Sequence, residues 1–173
     1  GRNSSDCNRN DICSFDIVIF ICDVSMIDRN STLWQYLSDP QKELIKQGEF
    51  LLADIEAHPN TNLTDFSYVV FPFAKAYEGF LKTLFLDLHF IDQKEYESDH
   101  FRIGKVMSPH LARKLGSRSM YFRLTQHLGY KDLAEFLWSV WKRGRNRVFH
   151  YFPHNLHALT LIEAREIIHE IIA

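Results

Sequence analysis

The chain has 173 residues, enough for one domain with a sizeable core. Hydrophobic residues make up 46% and aromatics 14%, so the chain is expected to fold rather than stay disordered. A net charge of -2 excludes a broadly basic nucleic-acid coat protein and confines any RNA contact to a local patch.

Only 7 glycines and 5 prolines argue against a turn-rich β sandwich and for long helices, and the periodic segments along the chain sum to an all-α bundle of four to six helices. Residues 1–14 are polar. Asp16–Ile27 is rich in β-branched residues and reads as one short strand or an apolar helical segment. We divide the chain into an N-terminal extension, 1–38, whose conformation the pattern leaves open, and a helical domain, 39–173. Because the chain opens Gly1-Arg2 without Met, we expect a processed chain or a piece of a longer protein. Cys7, Cys13 and Cys22 are odd in number and form no CxxC pair. They predict free thiols, a reducing cytoplasmic setting and no zinc site. The apolar run Ile17–Cys22 is too short to span a bilayer, so no membrane partner is expected. Asn3, Asn30 and Asn62 head Asn-x-Ser/Thr triplets, which arise by chance often enough to carry no argument.

Asp39-Pro40 starts a helix, with a capping carboxylate and proline at the first helical position. Leu44, Ile45, Leu51, Leu52 and Ile55 give it an apolar face, and His58-Pro59-Asn60 stops it. Asp65–Phe90 carries the clearest helical spacing, from Phe66, Val69 and Val70 through Tyr77 and Leu81 to Leu88. Pro72 predicts a kink there or a helix that begins there. Residues 91–107 are polar and irregular. Short helices follow around Pro109–Gly116 and Ser117–Leu128. Asp132–His150 is helical, Tyr151–Ala158 is a loop, and Thr160-x-x-Glu163 is a capping box for the last helix.

Chemistry concentrates in Trp141–Phe152, W-K-R-G-R-N-R-V-F-H-Y-F. An arginine fork matches phosphate oxygens, and histidine is the side chain whose ordinary pKa permits proton transfer near neutrality. Asn146 and His150 are four apart and share a helical face. Arg145 and His150 are five apart, about 140° around a straight α-helix, so they converge only if the helix distorts, Arg145 curls round, or substrate lies between them. Plain structural readings compete. Arg145 can snorkel from the edge of an apolar stripe, and His150 can simply answer the dipole at a helix end. Glu78 can pair with Lys75 and Lys82, three residues before and four after it. Lys142, Arg143 and Arg147 read as a solvated basic face that aids RNA approach, and Tyr151 as a stacking or a packing residue.

R-N-x-x-x-H resembles the R-x4-6-H signature of HEPN domains (higher eukaryotes and prokaryotes nucleotide-binding). A-Y-E-G-F-L-K at 76–82 is similar to the helix that carries the acidic residue in toxins of the RNase LS group. The resemblance spans residues 65–172. It implies a HEPN-type helical bundle and a metal-independent endoribonuclease with no cofactor. The 2′-hydroxyl of RNA would attack its own phosphodiester, leaving 2′,3′-cyclic phosphate and 5′-hydroxyl ends. His150 would be general base or acid, Arg145 would stabilise phosphoryl charge, Asn146 would orient His150 or substrate, and Glu78 would position Arg145 or His150. Two protomers would pair to complete one active site. A toxin of a toxin–antitoxin pair or a defence effector follows, with an antitoxin protein as partner. A non-catalytic HEPN module that binds nucleotide or RNA and dimerises is the alternative, and a purely structural helical adaptor the third reading.

Overall fold

The computed structural model describes residues 25–58, 62–127, 129–151 and 153–173, and every regular element among them is helical. In chain order these are α1 (Thr32–Tyr36), α2 (Asp39–Ala57), α3 (Ser67–Asp87), α4 (Gln93–Glu97), α5 (Ile103–Val106), α6 (Pro109–Leu115), α7 (Met120–His127), α8 (Lys131–Trp141) and α9 (Leu161–Ile172). Short 3-10 turns cover Gly116–Arg118 and Pro153–Asn155, and a π-helical turn covers Lys142–Arg147.

The all-α expectation stands, but the helices among the described residues outnumber the four to six read from periodicity. Only α2, α3, α8 and α9 exceed ten residues. Elements as short as α1, α4 and α5 make too few turns to print a 3.6-residue period. Local capping starts two of them. Ser31 Oγ accepts from Trp34 N at 3.1 Å ahead of α1. Asp92 Oδ1 accepts from Glu95 N at 2.7 Å, and Glu95 answers by accepting from Asp92 N at 3.3 Å. The stretch 91–107 is therefore not irregular throughout. The proposed strand at Asp16–Ile27 and all three cysteines lie outside the described residues, apart from Ser25–Ile27, which form no strand.

The cap of α2 is Ser38, one residue before the expected Asp39, and Gln41 Oε1 accepts from Ser38 N at 3.0 Å. The helix α3 runs through Pro72 and starts well before it, so proline removes one backbone bond without setting the helix start. Two apolar clusters share α3. Val69, Val70, Phe73 and Ala74 pack with α2 and α9, whereas Tyr77, Leu81 and Phe85 pack with α5, α7 and α8. Ile27, Trp34 and Leu37 belong to the first cluster, so the folded body begins ahead of residue 39. Arg29 helps to tie this entry down, pairing with Glu49 of α2 and lying 3.9 Å from the centre of the Trp34 ring. No described helix is long and apolar enough to cross a membrane.

Candidate phosphate-handling site

The segment 76–82 can now be taken residue by residue. Ala76 is buried. Tyr77 is buried too, and its hydroxyl donates to the Leu137 carbonyl of α8 at 3.1 Å. Burial pushes its phenol well above the usual range, which keeps it a neutral donor. A Cβ at Gly79 would sit 2.9 Å from Gln41 Nε2, so glycine lets that buried amide pass close to α3. Phe80 packs edge-on to Tyr36 at 5.8 Å. Four of the five residues A-Y-E-G-F thus have structural work, and Glu78 is the exception.

Glu78 takes neither flanking lysine. Lys75 lies 6.0 Å from the centre of the Phe71 ring, and Lys82 donates to the Tyr96 carbonyl at 3.3 Å. The Glu78 carboxylate instead accepts from Arg145 Nε at 3.3 Å, across 67 positions of sequence. Both side chains are partly exposed, 30% for Glu78 and 39% for Arg145. A pair so exposed adds at most about 1 kcal/mol to stability. Its consequence is orientation. Held by Nε, the arginine leaves its two terminal nitrogens without a hydrogen bond among the described residues, and such a pair is an edge with which a guanidinium can grip two anionic oxygens. The guanidinium also lies 5.2 Å from the Phe149 ring centre, and Phe149 meets Phe71 edge-on at 5.4 Å. Phe149 was absent from the candidate residues, although its place four after Arg145 is a readable signal.

The next residue builds the second pair. Asn146 Oδ1 lies 3.0 Å from His150 Nε2. An amide oxygen has only lone pairs, so this contact requires the facing ring nitrogen to carry a hydrogen, and in a neutral ring Nδ1 is then the nitrogen with the lone pair. Among the described residues no hydrogen bond joins His150 to Arg145 or Glu78. Arg145 and Asn146, one from each pair, are adjacent on one backbone segment.

That segment departs from the straight helix expected over Asp132–His150. The α-helix ends at Trp141, and Lys142–Arg147 form a wider turn with i→i+5 bonding. Gly144 shows why it lies where it does. It is buried, and a Cβ there would come 2.8 Å from Ile171 Cδ1 of α9. The bare backbone lets the turn sit on α9.

The cations around Gly144 do not form the single basic face read from sequence. Arg145 turns to α3. Arg143 turns to α9, where it pairs with Glu170 and, at 3.5 Å, with Glu166. Arg147 lines a cavity of about 210 Å³ with Arg143 and His157. Lys142 and Arg147 are exposed and make no ion pair among the described residues. Tyr151 is 79% exposed, so packing does not account for it. Among the described residues no three His, Cys, Asp or Glu side chains gather as a metal site requires.

The loop after His150 is pinned by Asp65, another residue that the sequence did not single out. Its carboxylate accepts from Ser67 N at 2.9 Å, Ser67 Oγ at 2.6 Å, Asn155 Nδ2 at 3.0 Å and Leu159 N at 3.2 Å. His154 and Asn155 both hold positive φ within this loop, a strained geometry that such bonds stabilise. Burial pushes the Asp65 carboxyl up, but the donated hydrogen bonds outweigh it and hold the group below 3.8. Since the folded value is the lower one, the stabilisation is complete above 3.8 and fades as pH falls from there through the folded value. Asp65→Ala should cost about 1–3 kcal/mol at neutral pH. The gap in thermal melting between parent and variant should narrow as pH falls below 3.8. A gap that stays constant down to acid would remove Asp65 from this role.

Compared with protein-family models, curated proteins and solved structures, the chain matches none.

Proposed function

We propose that this protein is a metal-independent endoribonuclease of the HEPN type, working as a homodimer. The observation that carries the reading is the partner of Glu78. A carboxylate flanked by two lysines on its own helix pairs with Arg145, the first residue of R-N-x-x-x-H, beside the Asn146–His150 pair.

In the proposed reaction the RNA 2′-oxygen bonds to phosphorus as the bond from phosphorus to the 5′-oxygen breaks. One histidine takes the 2′-hydroxyl proton and another gives a proton to the departing 5′-oxygen, so a cyclic phosphate and a 5′-hydroxyl remain. His150, with Nδ1 free to accept, serves one of these roles. The His150 of a second copy serves the other, which makes dimerisation part of the chemistry. Arg145 meets the charge that builds on the phosphoryl oxygens. Asn146 fixes the ring's tautomer and Glu78 fixes the guanidinium. Lys142, Arg147 and Tyr151 stand exposed around the same turn for contact with the strand, while Arg143 is committed to α9. A toxin or defence effector, restrained by an antitoxin protein, is the biological setting we attach to this chemistry.

Incubation with total RNA in excess EDTA, followed by mapping of the new ends, tests the proposal. We expect cleavage with cyclic phosphate and 5′-hydroxyl ends, and no cleavage of DNA, which lacks the nucleophile. Cleavage of DNA at a similar rate would sink the mechanism. A monomer by light scattering at micromolar protein would remove the second histidine. Tight RNA binding without turnover would mark a non-catalytic HEPN module instead.

A further inference from the structure

Away from R-N-x-x-x-H, four cationic side chains converge on a second depression. A cavity of about 280 Å³ is lined by Arg102 and Lys105 of the α5 region, Arg118 of the 3-10 turn, Arg123 of α7, Phe101 and Glu95. Arg123 is committed, since it donates to the Phe90 carbonyl and lies 4.5 Å from the Phe90 ring centre. Arg102, Lys105 and Arg118 are exposed and make no ion pair or hydrogen bond through their side chains among the described residues. Glu95 is the one carboxylate in the lining, and it already caps α4 by accepting from Asp92 N. Three free positive charges gathered against one occupied carboxylate, in a chain of net charge -2, form a local attraction for an anion.

We infer that this cavity binds phosphate groups, through Arg102, Lys105 and Arg118. Two arginine forks and an ammonium suit adjacent phosphates better than a single carboxylate, because each fork takes two oxygens and the charges add. Phe101 offers the same ligand an apolar face, suited to a nucleobase. The cavity also connects to α3. Lys82 lies 5.9 Å from the Phe101 ring centre, and Lys82 is one helical turn from Glu78 on the same face of α3. The phosphates can belong to a free nucleotide or to an RNA backbone. The site stands on its own lining and does not require that the protein cleave RNA.

The test uses the full chain and two probes, inorganic pyrophosphate by calorimetry and a fluorescent 2′-O-methyl oligoribonucleotide, which cannot be cleaved, by anisotropy over a salt series. Arg102→Gln/Lys105→Gln is compared with the charge-matched Lys46→Gln/Lys131→Gln, both checked for unchanged melting. We expect the first variant to bind pyrophosphate at least about tenfold more weakly, with the control unchanged. If RNA lies in the cavity, the slope of log affinity against log salt also falls by about 1.4, two lost contacts at about 0.7 each. Loss of pyrophosphate binding with an unchanged RNA slope assigns the cavity to a free nucleotide, and a fallen slope without pyrophosphate binding assigns it to the RNA backbone. A parent that binds neither probe, or a cavity variant no weaker than the control, overturns the site whether or not the protein proves to be a ribonuclease.

Discussion

His150→Ala should leave a folded protein whose RNA cleavage is slower by about 10³-fold, within the 10²–10⁴ that general acid–base catalysis contributes. The side chain is exposed, and its hydrogen bond to Asn146 joins neighbours four apart on one segment, so its removal leaves no cavity in either apolar cluster. Melting temperature should therefore stay within about a degree, as surface changes usually shift stability by less than 0.5 kcal/mol. Arg145→Lys should cost about 10²-fold or more, because lysine keeps the charge but loses both the Nε bond to Glu78 and the two-nitrogen edge. Glu78→Gln removes the charge from that pairing and should lower turnover about tenfold while leaving the salt dependence of RNA binding alone. Unaltered cleavage in His150→Ala, measured by single turnover on one defined RNA, would end the ribonuclease proposal. Loss of melting temperature alongside activity would show instead that His150 holds the loop.

The contrast between what was readable and what was not follows physical scale. Long apolar stripes repeat enough times to be seen, so α2, α3, α8 and α9 were legible from residues such as Leu52, Val69, Leu137 and Ile168. The π turn was not. Nothing in the residue types of K-R-G-R-N-R separates a wider turn from an α turn, and the requirement comes from tertiary packing of Gly144 on Ile171. The partner of Glu78 was equally hidden, because sequence favours a lysine three or four residues away over an arginine 67 positions on. Asp65 and the cavity of Arg102, Lys105 and Arg118 share this character. Each draws on residues remote in sequence, and each loses its meaning when read as a local pattern. Within R-N-x-x-x-H the Asn146–His150 contact was legible, because the two meet at a helical spacing that survives the distortion.

The largest effect on stability should come from the α2–α3 contact that supports the site. Phe73→Ala should cost about 3–5 kcal/mol, the range for emptying a buried aromatic position. In a chain of 173 residues that is a drop in melting temperature of about 10 °C or more. Phe73 has no solvent-exposed surface, and it presses on Gly48 so closely that a Cβ there would lie 2.3 Å from its ring. The ring and the bare glycine backbone are therefore one fitted unit. Gly48→Ala should also destabilise, by about 1–3 kcal/mol for overpacking, offset in part by about 1 kcal/mol from better helix propensity. The two changes should not add. With Phe73 already reduced to alanine, Gly48→Ala has room and should become neutral or stabilising, a coupling of about 1–3 kcal/mol in a double-mutant cycle by chemical denaturation. Additive losses would mean that the ring and the glycine do not constrain each other. Glu78 lies five residues after Phe73 on the same helix, so the cycle also measures how firmly α3 is held where it presents that carboxylate to Arg145.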